Sequence, residues 1–342
     1  MNRRDFLSAT VVAGLMNNVL ASRSYAQTAA SRSRPSDSPQ VPGLDAYSRY
    51  LHWLRDPGEI AEACRELTCN SLLLSVGEGS AHVSINNVVT ELPRFVSALR
   101  SEGVEVRQIR GGNQTDVDVD VERLVATMSD LDIHTYWLGT DRYDFSQPIM
   151  PQLDAIKRKV ERFVRLNERH GTRIQYHTRS NASSVGSVVW DLLYIMGDFD
   201  PQYVGIHWDT GHMSNHGAMW ETLLRTAVPY LATISWKDRR PVQDSRIATD
   251  QVIHSIRGLG WGYEDVALGT GWVDFYRYGE LLREIGYTGL MDLQAEYDNS
   301  LGGANHGNTE LTLPRDVVLG AIKRDVLTVR TALQESGSGI VV

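Results

Sequence analysis

Residues 203–217 read "YVGIHWDTGHMSNHG": a short β-rich run, Tyr203 to Trp208, that breaks into polar residues and then into a helix-forming stretch. Successive strand side chains point to opposite faces, so His207 and Asp209 share one face. The same texture recurs along the chain. Strand-like runs are "SRYLHWL" (48–54), "NSLLLSV" (70–76), "VEVRQIR" (104–110), "IHTYWLG" (133–139), "TRIQYHT" (172–178), "YVGIHWDT" (203–210), "LATISWK" (231–237) and "GLMDLQAEY" (289–297). Between them lie amphipathic segments such as "PGEIAEACREL" (57–67) and "LDAIKRKVERFVRLNERHG" (153–171). Gly103, Gly171 and Gly286 stand where helices end, and Pro57, Asp120 and Pro314 where they begin. Eight strand–helix repeats predict a single closed (β/α)8 TIM barrel of the α/β class, over residues 44–335. An open doubly wound sheet is the rival, weakened because no Gly-x-Gly-x-x-Gly turn follows the first strand.

The segments before the barrel have their own signals. Residues 1–26 carry Arg3-Arg4 before Asp5-Phe6-Leu7, a weakly apolar run, and a small-residue terminus at Ala26. This pattern predicts a twin-arginine export signal and a periplasmic or extracytoplasmic location. Residues 27–43, rich in Ser and Pro, read as a flexible lead-in. Signal removal would take three Arg and one Asp from a chain of net charge −8, to about −10. That balance opposes a nucleic-acid partner, and no apolar run long enough to span a membrane follows the signal. Cys64 and Cys69 fit no zinc pattern and read as buried free thiols. A homo-oligomer stays open.

A barrel gathers its active residues at the C-terminal strand ends. Polar groups stand at nearly all of them: "GEGSAHV" with His82, "RGGNQTD", "GTDRYD", His177-Thr178-Arg179, His207-Trp208-Asp209, Trp236-Lys237-Asp238 and Glu296. His177, Asp209, Lys237 and Glu296 would converge from four consecutive strands. Asp209, Glu296 and His177 supply the two carboxylates and one imidazole that suit a divalent ion such as Mn, Zn, Co or Mg. Glu296, His177, Lys237 and His212 are the catalytic candidates. His82, His207, Trp208, Arg179 and His306 are candidates for holding substrate. Plainer readings stand beside these: structural histidines at 207 and 212, Asp209 as a helix cap, Lys237-Asp238 as a surface ion pair. No phosphate cradle or arginine cluster stands out in the linear sequence.

The order of a strand-five ligand, "DTGH" (209–212) after strand six, "KD" (237–238) after strand seven and Glu296 on strand eight resembles the xylose isomerase-like TIM-barrel superfamily. More narrowly it is similar to the sugar phosphate isomerase/epimerase group with a twin-arginine signal. "WLRDPGEIAEACREL" (53–67), "VGSVVWDL" (185–192), "LGTGWVDFYRY" (268–278) and "AEYDNSLGGANHG" (295–307) support the likeness, which covers roughly residues 47–330. It implies a divalent ion, often manganese, held by Glu, Asp, His and Glu from strands five to eight, and proton transfer through an enediolate of a hydroxy-ketone or oxo-sugar. Two positions depart from the pattern: His177 stands for the strand-five Glu, and Ser235 for the strand-seven His. Either His177, Asp209 and Glu296 still hold metal, helped by His207, or Lys237 replaces it, or the site binds without catalysis. The expected function is thus an exported carbohydrate isomerase or epimerase. The alternatives are a 3-oxo-glycoside lyase and a non-catalytic sugar-binding barrel. The superfamily's apurinic endonucleases are excluded by charge and by their need for a fuller His/Asp/Glu set.

Overall fold

The computed structural model describes residues 43–79, 81–243, 261–298 and 300–339. The export-signal reading of residues 1–26 and nearly all of the lead-in therefore lie outside the described residues. Eight parallel strands form the barrel: β1 (Leu44–Tyr47), β2 (Ser71–Gly77), β3 (Glu105–Arg110), β4 (Thr135–Trp137), β5 (Arg173–His177), β6 (Val204–Asp209), β7 (Leu231–Trp236) and β8 (Leu290–Leu293). Each pairs with its sequence neighbours, and β1 pairs with both β2 and β8, so the sheet closes on itself. The barrel expected from sequence is the fold found.

The first strand is a correction. "SRYLHWL" is not a strand: Ser48–Leu51 forms a 3-10 turn, and the strand is the four residues before it, Leu44–Tyr47. All four are buried, so no alternation marked them. Consequently His52 and Trp53 belong to the loop above the strand rather than to its end.

Eight helices surround the barrel: α1 (Pro57–Glu66), α2 (Val88–Ser101), α3 (Val119–Asp130), α4 (Ile149–His170), α5 (Val189–Met196), α6 (Trp220–Ala227), α7 (Phe275–Glu284) and α8 (Arg315–Glu335). Their ends follow local chemistry. The Asp56 carboxylate caps α1 with Pro57 at its first position, Asp118 caps α3 and Asp274 caps α7. Helix α4 stops at Gly171, whose φ of 63° places it in the left-handed region. Among the described residues no helix is long and apolar enough to cross a membrane.

The apolar core lies between barrel and helices, where Leu72, Ile174, Ile206 and Ile234 meet helix residues such as Ile60, Val160 and Leu281. Cys64 and Cys69 sit there as buried free thiols, pushed up to about 12 chiefly by burial. The barrel interior is polar. Gln108 donates to Asp45, Gln175 to Thr233, and Thr233 to Gln108, all buried. Arg107 reaches the Asp45 carboxylate from beside them. After β7 the chain forms an antiparallel hairpin of Asp238–Gln243 and Trp261–Val266 before α7.

Candidate active site

Strand β6 builds the centre. Its alternation sends His207 and Asp209 inward and Trp208 outward, where the indole N–H donates to Tyr278 Oη on α7 (3.2 Å). Trp208 has no exposed surface, so its expected place at the substrate is corrected: it belongs to the layer between barrel and helices. Asp209 ends β6 and caps the one-turn helix Thr210–Ser214, its Oδ1 accepting the His212 N–H at 2.7 Å. That cap folds His212 back beside Asp209, leaving His212 Nε2 3.8 Å from Asp209 Oδ2. The capping and chemical readings of Asp209 are therefore compatible.

His177, from the end of β5, stands opposite. Its Nδ1 donates to the Thr178 carbonyl oxygen (2.6 Å), which leaves the Nε2 lone pair facing Asp209 Oδ2 at 3.7 Å. Burial, with Arg179 and His207 adding, holds His177 well below the usual imidazole range. Burial, then Arg239 and Lys237, does the same for His212. Both rings are neutral at neutral pH. Burial raises the Asp209 carboxyl to about 6, against the pull of Lys237 and Arg239. One ligand atom from each of His177, Asp209 and His212 lies within 4.8 Å of the others.

Beside this cluster is an ionic chain. Lys237 follows β7, and its Nζ donates to Glu296 Oε2 and lies 3.4 Å from Asp265 Oδ2. Arg49 approaches the other Glu296 oxygen at 3.5 Å. Burial alone would raise the Glu296 carboxyl, but Lys237 and Arg49 together outweigh it and hold it at about 2. Arg239 pairs with Asp265 and donates to Ser180 Oγ (2.6 Å), which lies 2.7 Å from His212 Nδ1. Thr210 Oγ1 donates to the Lys237 carbonyl (2.7 Å), tying the ends of β6 and β7 together.

The other expected residues fall differently. Glu296, expected as the third metal ligand, lies against Lys237 and Arg49, and the ligand atoms that lie close together among the described residues are those of His177, Asp209 and His212. Lys237 and Asp238 are no surface pair. Both are 1% exposed, and Asp238 accepts backbone N–H groups of Arg239, Gly269, Gly271 and Val273. His207 lies at the floor with no exposed surface, its Nε2 2.8 Å from Asp292 Oδ2 but out of line for a hydrogen bond. His82 is held by its Nε2 on the Leu51 and Leu54 carbonyls and packs against His52, apart from the cluster. His306 is exposed and bonded to Asp298. Arg179 reaches the Trp137 face at 5.9 Å.

Sequence reading missed Arg49, Ser180, Arg239, Asp265 and Asp292 as parts of this region. Ser180, next to Arg179, and Arg239, two residues past Lys237, had a local cue. Asp265 arrives through the hairpin, and Arg49 through the mis-set first strand.

The donor set can be tested against the ion expected from the resemblance. Two neutral imidazoles and one carboxylate suit a borderline ion such as zinc or cobalt best, admit the harder manganese, and suit oxygen-seeking magnesium least. The Nδ1 of His177 fixed on a carbonyl is the support a ligating imidazole normally has. The residues fit such an ion.

The profile of the xylose isomerase-like TIM barrel family matches residues 113–314, and the chain belongs to that family. No curated protein matches the chain in sequence. Among solved structures, D-psicose 3-epimerase from Clostridium cellulolyticum H10, determined with D-tagatose, aligns with a TM-score of 0.58 at 13% identity, covering 85% of this chain and 99% of its own. The 3-keto-D-glucoside 4-epimerase YcjR from E. coli gives 0.58 at 13%, with the same 85% and 99%. A xylose isomerase-like TIM barrel protein from Mycobacterium smegmatis, in complex with magnesium, gives 0.55 at 16%, covering 85% and 100%. At these identities the likeness is one of fold.

Proposed function

We propose that the protein is a carbohydrate isomerase or epimerase that moves a proton at the carbon beside the carbonyl of a hydroxy-ketone or oxo-sugar. The observation that carries this reading is the buried Lys237 ammonium held against Glu296 at the strand ends, beside the His177–Asp209–His212 cluster. Proton abstraction next to a carbonyl needs a base at the carbon and positive charge at the oxygen. Glu296, ionised across neutral pH, is the base. Lys237 Nζ supplies the charge and a hydrogen bond to the developing oxyanion. Asp265 and Glu296 hold that ammonium in position. His177, Asp209 and His212 would hold a divalent ion, which when bound polarises a substrate oxygen. The families named by similar structures, sugar epimerases among them, agree with this substrate class. The N-terminal segment is proposed to export the protein by the twin-arginine route, testable with a folded reporter fused behind residues 1–43.

The test uses the full-length metal-reloaded protein with ketohexoses and 3-oxo-glucosides in D2O. Single-deuterium incorporation next to the carbonyl is expected, reduced at least a hundredfold in Glu296→Gln and Lys237→Met. Elemental analysis should find about one zinc, manganese or cobalt per chain, lost in His177→Ala and Asp209→Ala. Release of a free aglycone would redirect the same residues to elimination. Binding of oxo-sugars without exchange would leave the binding-only barrel.

A further inference from the structure

Five cationic side chains surround the barrel mouth: Arg49, Arg110, Arg179, Lys237 and Arg239. Three are matched by carboxylates. Glu296 meets Lys237 and Arg49, and Asp265 meets Lys237 and Arg239. The other two have none at ion-pair distance among the described residues, although Glu296 and Asp209 act on Arg179 from farther away. Arg110 ends β3 and bonds only neutral groups, the Gly111 carbonyl and Asn113 Oδ1 (2.9 Å). Arg179 follows β5 and donates from Nε and a terminal nitrogen to Thr140 Oγ1, at 3.0 and 2.8 Å. Among the described residues neither has a carboxylate at ion-pair distance, in a chain with 42 acidic and 34 basic residues. Both guanidiniums lie against one indole, Trp137, at 5.2 Å for Arg110 and 5.9 Å for Arg179. The same Trp137 ring touches His177 (5.0 Å) and His207 (5.5 Å), which places the two arginines at the rim of the catalytic cluster. The buried Trp137 Nε1–H has no acceptor among the described residues.

A partly buried charge with no anion in direct contact is costly, and an aromatic face offers a quadrupole rather than a compensating anion. Two guanidiniums bonded only to neutral groups, beside an indole N–H with no acceptor among the described residues, mark the place of an anion that arrives with a ligand. We propose that Arg110 and Arg179 bind the oxyanion of an acidic sugar, a carboxylate or a phosphate, while its carbonyl lies at Lys237 and Glu296. Two guanidinium forks suit an oxygen pair by charge-assisted bonds. This inference rests on the carbonyl chemistry proposed above and names its substrate class.

Isothermal titration of the full-length protein with D-glucuronate, D-glucose 6-phosphate and D-glucose tests it. At least one anion should bind about tenfold or more tightly than D-glucose, and its affinity should fall with added salt. Arg110→Gln and Arg179→Gln should each collapse that ratio, and the lysine variants should keep part of it, which separates lost charge from lost folding. Preference for D-glucuronate assigns a sugar acid; preference for D-glucose 6-phosphate assigns a sugar phosphate. Equal affinity for all three, no binding of either anion, or a ratio that survives both glutamine variants would overturn the inference. Deuterium exchange on neutral oxo-sugars with no anion preference removes this inference and keeps the proposed function. An arginine-dependent anion preference with no exchange on any oxo-sugar, D-fructuronate included, does the reverse.

Discussion

At the scale of single residues, the position of Lys237 is set by what Gly211 lacks. A Cβ at Gly211 would come 2.6 Å from Lys237 Cγ, so the turn of "DTGH" packs directly on the lysine stem. Gly211→Ala should displace the ammonium from Glu296 while leaving the barrel folded. We expect roughly tenfold or more loss in solvent exchange, with far-ultraviolet circular dichroism unchanged. An unchanged rate would show that the Lys237 position is not critical. Legibility differs residue by residue here. His177 and Asp209 were readable because strand alternation and strand-end position are local properties. The pairing of Glu296 with Lys237 was not, since it depends on which of two nearby partners, metal or ammonium, the packed barrel brings to the carboxylate.

At the scale of elements, the Asp238 carboxylate ties the loop 267–273 to the start of the hairpin. It accepts four backbone N–H groups, from Arg239, Gly269, Gly271 and Val273. A buried carboxylate so engaged leaves several donors unmet when removed. Asp238→Ala should cost about 3 kcal/mol or more. Hydrogen exchange should accelerate at Gly269, Gly271 and Val273 before the barrel strands are affected. Because Asp265 rides on the second hairpin strand, the same variant should lower solvent-exchange activity. Unaltered protection of that loop would mean that the carboxylate does not hold it. The sequence offered Lys237 as a catalytic candidate, with "KD" as a surface ion pair the plainer alternative. Burial of both side chains follows from the hairpin folding over them, a contact between segments with residues 244–260 between them.

At the scale of the molecule, Asp325 on α8 joins the barrel's last helix to the region above β8. It is fully buried and accepts from Tyr297 Oη (2.7 Å) and the Leu268 N–H (3.2 Å). Burial, only partly opposed by the Tyr297 hydrogen bond, raises its carboxyl from 3.8 to about 7. The folded state thus keeps a proton that the unfolded chain has already lost. Stability from this group is greatest below about pH 4 and falls as pH rises to about 7. Asp325→Asn should remove that slope and stabilise the protein above pH 7 by a few kcal/mol, a rise of about 5 °C in melting temperature at pH 8. Parallel melting-against-pH curves for variant and wild type would contradict the assignment.

The repeat of eight strand–helix units, the helix caps and the inward direction of Asp209 were determined by the sequence itself, because they depend on alternation and on neighbours a few residues apart. Membership in the barrel family is visible in the same order of elements. The first strand escaped because Leu44–Tyr47 is buried on both faces and carries no alternation. Only the tertiary structure decided that His212 rather than Glu296 joins His177 and Asp209, and that Arg110 and Arg179 meet on Trp137. Each of these turns on which side chains the closed barrel presses together. A carboxylate takes the nearest cation, and closure brings together strand ends far apart in the chain, so spacing along the sequence cannot rank those partners.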